Sequence, residues 1–267
     1  MTAINPAKLK LKTAELGELI LQPEKFILQL HELLSFYGSR IRQTSLSKTS
    51  LKLQTYQAPD PVIQAVRSEL MERLQEDPDV GFLLVDALWK EHWVEFRRLA
   101  IHILGILPVG EPDRIIRRLQ EWLATCPSED IRRLIMTEGM RGLAMEKTQQ
   151  SLKFIEHLVS SESKETRQAA LFGLESFAAD PSYLNLPLLF RYISKILAAD
   201  ESGLVKEISS LLRVLASRSE QETTYFLLAQ LGPSQESDLA RVIRKVMKDL
   251  SQENQELIRK KIETYQK

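Results

Sequence analysis

The sequence predicts an all-α protein, a right-handed α-solenoid of about six or seven helix pairs packed mainly on their neighbours. Three observations carry this. A short motif returns at a fixed interval: Glu95-Phe96-Arg97-Arg98-Leu99-Ala100, Asp130-Ile131-Arg132-Arg133-Leu134-Ile135 and Glu165-Thr166-Arg167-Gln168-Ala169-Ala170 place acids at 95, 130 and 165, a spacing of 35 twice over. Apolar residues recur at helical intervals, as in the run from Asp79 to Trp89 and again at Phe96, Leu99, Ala100, Ile103 and Leu104. Glycine is scarce, at 10 of 267 residues, whereas a doubly wound sheet uses glycine at its strand-to-helix turns.

Along the chain, Ala14 to Leu21 and Glu24 to Tyr37 read as a divergent N-terminal helix pair. Residues 39–59 are rich in Ser and Thr, hold no acid, and carry Arg40, Arg42, Lys48 and Lys52. They read as a basic loop, with the alternation Leu51-Lys52-Leu53-Gln54 permitting a short strand or hairpin. Ala58-Pro59-Asp60-Pro61-Val62 then opens a helix running through Leu70. Proline beside an acid punctuates the remainder of the chain, at Asp77-Pro78, Glu111-Pro112 and Asp180-Pro181. Proline in a first helical turn costs little, because its missing N–H would be unpaired there anyway. Each motif copy opens the second helix of a pair, with its acid suited to the positive end of the helix dipole. Weaker copies begin at Leu204 and Asp238. No linker divides the chain, so a single domain of residues 1–267 is expected, with 1–56 divergent and 57–267 made of repeats.

Composition excludes several classes of function. The chain is 43% apolar and 27% charged, with 36 Lys+Arg against 36 Asp+Glu. Binding to a polyanion by overall charge is therefore excluded, though a local basic face is not. One cysteine, Cys126, rules out an internal disulfide and reads as a half-exposed helical thiol. No apolar run approaches the ~20 residues of a membrane helix, and Met1-Thr2-Ala3-Ile4-Asn5-Pro6 lacks a signal-peptide pattern, so a cytoplasmic protein without a membrane partner is expected. There is no Gly-x-Gly-x-x-Gly, no Walker-type loop and no His-Glu-x-x-His. The four histidines stand far apart in sequence. Neither a cofactor nor a metal site is expected.

The recurring arginines are the main candidates for function. Arg97-Arg98 and Arg132-Arg133 occupy the same place in consecutive repeats, and Arg167 comes next in the third. If second helices line a concave face, these groups recur along it. Residues 97–141 hold eight Arg and six acids, whereas 57–96 hold nine acids and three basic residues, so the neutral total conceals segregated charge. Trp89 and Trp93 flank the turn between two helices, where an aromatic edge suits sugar or base contacts as well as a small satellite core. Trp122, between Leu119 and Leu123, reads as core. Glu129-Asp130 reads as helix-start stabilisation, because adjacent helical residues do not face each other. No catalytic residue is assigned.

The acid-x-Arg-x-x-Ala pattern resembles HEAT-type repeats, in which the acid and the arginine commonly pair between neighbouring units. Ala87-Leu88-Trp89-Lys90-Glu91-His92-Trp93-Val94-Glu95-Phe96-Arg97-Arg98-Leu99-Ala100-Ile101, with the helix after Pro59, further resembles the bacterial DNA alkylation repair family of HEAT-like DNA glycosylases, over roughly residues 56–175. Members commonly continue with Ser-Trp-Trp-Asp-x-Val-Asp. Here the comparable stretch is Ser128-Glu129-Asp130-Ile131-Arg132-Arg133, without either tryptophan and with Arg133 in place of the final Asp. The resemblance implies a DNA-binding protein whose concave face uses Arg97, Arg98, Arg132, Arg133 and Arg167 with Trp89 and Trp93, with catalysis weakened or lost. Two alternatives stand beside it: a scaffold for a protein partner on the same face, and an active N3/N7-alkylpurine DNA glycosylase. A monomer is expected, since solenoids need no self-association.

Overall fold

The computed structural model describes residues 4–38, 53–126, 128–198, 203–231 and 238–266. In order they form α1 (Pro6–Gly17), α2 (Pro23–Tyr37), α3 (Asp60–Glu76), α4 (Pro78–Lys90), α5 (Val94–Ile106), α6 (Pro112–Thr125) and α7 (Glu129–Leu134). A π-helical turn (Ile135–Gly139) leads into α8 (Arg141–Glu146) and α9 (Thr148–Val159). Then come α10 (Lys164–Ala179), α11 (Leu186–Ala198), α12 (Val205–Arg218), α13 (Glu220–Gln230), α14 (Asp238–Val246), a 3-10 turn (Met247–Asp249) and α15 (Gln252–Gln266). The protein is all-helical, and no strand forms among the described residues. The alternation before Gln54 leaves one parallel bridge, in which Gln54 N–H donates to His92 O and Val94 N–H to Gln54 O, both at 2.8 Å. Arg40, Arg42, Lys48 and Lys52 lie outside the described residues.

Proline and capping residues fix the helix starts. Proline stands in the first turn of α1, α2, α3, α4 and α6. Asp77 Oδ1 accepts from the amides of Asp79 and Val80, and Ser163 Oγ accepts from Thr166 N. The first helix corrects the expectation of Ala14 to Leu21. Asn5 Oδ1 caps the amides of Ala7 and Lys8 at 3.1 and 3.2 Å, so the helix begins at Pro6 and has ended by Gly17. An N-cap Asn followed by Pro is a stronger start signal than the apolar spacing that suggested the later one. The predicted starts of the motif helices are met by α5, α7 and α10, and Asp238 opens α14.

Two compact units are distinguished, Met1–Ser151 and Leu152–Lys267. In the first, α1, α3, α5 and the π turn lie side by side, α2 lies beside α4, and α4 packs on α5. Phe26, Leu30, Leu34, Leu70, Leu88 and Phe96 fill the space between these two layers. In the second unit, α10, α12 and α14 lie side by side, α13 lies beside α15, and α13 packs on α12. Leu171, Phe172, Ile208, Leu212, Val242 and Val246 are buried there.

The 35-residue period reappears as physical contacts within each unit. Arg114 Nη1 meets Asp79 Oδ1 at 2.7 Å in the first unit, 35 residues apart. In the second, the same separation joins Ser210 Oγ to Glu175 (2.9 Å), Gly203 N–H to Asp238 (2.8 Å) and Arg218 Nη2 to Tyr183 O (2.8 Å). Within each unit, positions 35 residues apart are thus joined by polar contacts.

Candidate nucleic-acid interface

The first arginine of each motif is used by its own chain. Arg97 Nε donates to Glu91 O at 3.0 Å, Arg132 Nη1 to Cys126 O at 3.1 Å, and Arg167 Nη1 to Ser161 O at 2.9 Å. Each acceptor lies six residues upstream, at the end of the preceding helix or in the turn after it. Helix ends leave carbonyls without intrahelical partners, and a guanidinium reaching back satisfies one of them. Arg167 adds a second carbonyl, that of Glu162, at 3.0 Å. Arg97 is 7% exposed, and burial lowers its pKa from the ordinary arginine value, though it remains a cation at neutral pH.

The acid of the first copy has a matching local role. Glu95 is buried, and its Oε1 accepts from Thr55 Oγ1 (2.7 Å) and from Tyr56 N–H (2.9 Å). It pins the segment ahead of α3 to the start of α5. The acid and the arginine of this copy therefore hold two different chain segments, and no carboxylate pairs with Arg97 among the described residues.

Both candidate tryptophans are half-buried and engaged. Trp89 stacks on Trp122 with ring centroids 4.1 Å apart, and the guanidinium of Arg97 lies 4.1 Å from the Trp89 ring. Trp122 itself is core, as its apolar flanks predict. Trp93 stacks on Tyr56 at 3.9 Å and meets His31 edge-on. Cys126 is also corrected. It follows α6 as its C-cap rather than lying half-exposed on a helix, and its burial pushes the thiol pKa up.

The second arginine of the pair is placed differently. Arg98 is exposed on α5 and makes no hydrogen bond or ion pair with a described residue. Its charge is felt by Arg67 of α3 and by Glu138 of the π turn. One turn further along α5, His102 Nδ1 lies 3.6 Å from Glu138 Oε2, and Arg67 Nη2 lies 3.6 Å from the same oxygen. Three neighbouring helices of one layer thus gather two guanidinium groups, an imidazole and a carboxylate. Arg133 is half-buried near the start of the same segment. Arg67, His102 and Glu138 were not singled out from the sequence. The available signal was the Arg98/His102 spacing of four, which sets both on one helix face.

His102 and the charge of Arg67 hold the Glu138 carboxyl below its usual pKa range. A carboxyl depressed in the folded state contributes stability that is complete above its unfolded pKa and is lost as pH falls through the folded value. Glu138→Gln is therefore expected to flatten the acid limb of a pH–stability profile and to leave its alkaline limb unchanged, as denaturant midpoints would record. The π turn that carries Glu138 passes so close to α5 that a Cβ on Gly105 would overlap the Glu138 carbonyl. Such turns shift the register of a helix locally and occur often at functional sites.

The described residues form an all-helical protein in which Arg67 and Arg98 gather with His102 and Glu138 on neighbouring helices of the first unit. Compared with known families, residues 52–246 match the model of the DNA alkylation repair enzyme, and the chain belongs to that family. The match runs from ahead of α3 to the end of α14 and so extends past the stretch that carries the resemblance. Neither the curated proteins nor the solved structures compared with it gave a match. No helix among the described residues is long and apolar enough to cross a membrane.

Proposed function

We propose that this chain is a DNA-binding protein of HEAT-type solenoid architecture that holds duplex or modified DNA against the layer of α3, α5 and the π turn, with catalysis weakened or lost. The observation that carries this reading is the exposed, unpaired guanidinium of Arg98 beside Arg67, in a member of a DNA repair family. A guanidinium with free donors is suited to a phosphate and releases a condensed counterion when it binds one. Arg133, the matching second arginine of the next copy, is assigned to the same surface in this reading, whereas Arg97, Arg132 and Arg167 support it by fixing the turns ahead of their own helices. Trp89 and Trp93 support it in the same way, through stacks that brace the turn ahead of α5.

Titration of a fluorescent duplex with the full chain at low salt tests this. Saturable binding is expected, weakened about tenfold or more by Arg98→Glu, since the substitution replaces an attraction by a repulsion. Absence of binding to normal, alkylated and branched duplexes at low salt would remove the reading. A second reading, an active N3/N7-alkylpurine glycosylase, draws on Glu138. Stabilising an oxocarbenium-like sugar needs a carboxylate that stays ionised, and this one does. Release of N3- or N7-methylpurines from the same alkylated duplex, abolished by Glu138→Gln, would promote it over binding alone.

A further inference from the structure

The second unit holds a separate cationic cleft that the duplex reading does not use. It has a volume of about 550 Å³ and lies between the start of α12 and the exposed side of α14. Among the described residues, Lys206, Arg241, Arg244 and Lys245 line it with one acid, Asp238. The three cations of α14 stand at i, i+3 and i+4, which sets them on one face, while Val242, Ile243 and Val246 turn into the core. This is why so polar a helix stays docked while it displays its charge.

The acid is already committed. Asp238 Oδ2 accepts from Gly203 N–H at 2.8 Å, and Oδ1 pairs with Arg241 at 3.2 Å. Arg244 uses only Nε, on Ala240 O, and Lys245 Nζ meets no carboxylate among the described residues. A fifth cation borders the cleft, because a Cβ on Gly203 would lie 2.7 Å from Lys164 Nζ. Gly203 has φ +59°, a conformation that other residues rarely adopt, and it lets the chain turn tightly into α12 with the lysine laid against it. The N-cap residue Leu204 offers no side-chain cap to the first turn of α12. The amides there add to the positive potential at this end of the cleft.

A surface that gathers like charges carries a repulsion that a bound anion relieves. Lysine and arginine at this density, open to solvent, suit phosphate oxygens better than carboxylates or apolar ligands. We propose that the cleft between α12 and α14 is a phosphate-binding site for one or two phosphate groups, supplied by a nucleic-acid strand or by a soluble polyphosphate. The assignment is independent of the duplex reading, whose proposed phosphate contacts at Arg98 and Arg133 belong to the other unit.

Calorimetric titration of the full chain with inorganic pyrophosphate at low salt tests it. Saturable binding is expected, about tenfold weaker or worse in the double variant Arg244→Gln/Lys245→Gln, because charge-assisted hydrogen bonds are lost. The control Arg117→Gln, on exposed α6 surface, should bind like the parent. Circular dichroism would establish that both variants fold. A single-stranded oligonucleotide added to the loaded protein then identifies the source. Displacement of pyrophosphate assigns the site to a strand, and retention assigns it to a soluble polyphosphate. No heat of binding at millimolar pyrophosphate, or equal affinity in the double variant, overturns the proposal. Either result leaves the duplex experiment unaffected.

Discussion

Replacing Arg97 with Ala is expected to destabilise the protein by about 2–3 kcal/mol, the range for losing a charged hydrogen bond and a half-buried cation–π contact together. The side chain is 7% exposed, so its removal also leaves the Glu91 carbonyl without its donor and the Trp89 ring without its cover. At roughly 2–4 °C per kcal/mol for a chain of this size, Tm should fall by about 5–10 °C. Arg98→Ala, one residue away, should stay within about 0.5 kcal/mol of the parent, because an exposed arginine without partners contributes little to folding. Scanning calorimetry of the two variants checks both at once. Equal stability would mean that the inward guanidinium does not hold the turn before α5.

Gly105→Ala should have an effect of opposite sign to the usual one. In an ordinary helix interior the exchange gains up to about 1 kcal/mol, since glycine has the greater freedom to lose. Here the new methyl group would meet the Glu138 carbonyl, which belongs to the backbone of the π turn and cannot rotate away. Forced separation of α5 from that turn should cost about 2–3 kcal/mol, as overpacking of a close contact does. Lower urea midpoints with unchanged slopes would record it. Because the displaced turn carries Glu138, the pairing with His102 and Arg67 should loosen as well. A variant as stable as the parent would show that the helices have room the structure does not give them.

The acid-x-Arg copies at 95, 130 and 165 made the starts of α5, α7 and α10 legible in the sequence, because a helix start needs local chemistry that a sequence displays. The Arg97-Arg98 pair was visible as a pair, but its division of labour was not. Successive helical residues point about 100° apart, and only the packing of α4 and the turn beyond it decides which of the two turns inward. Glu138 was illegible for a different reason. The π turn departs from the 3.6-residue period, so counting along from Arg133 points to the wrong face. Arg67 was hidden because its partners lie on two other helices. The strand-like alternation near Leu53 did mark a real extended contact, yet its partner at Trp93 lies 39 residues on, beyond any local pattern.

The salt dependence of duplex affinity, compared between the parent and Arg98→Gln, tests the central claim most directly, because it registers phosphate contacts and ignores helix packing. Removing one phosphate contact should make the slope of log affinity against log salt less negative by about 0.9, while the urea midpoint stays where it was. An identical slope in the two proteins, or a parent that fails to bind duplex at low salt, would contradict the assignment of this guanidinium to DNA.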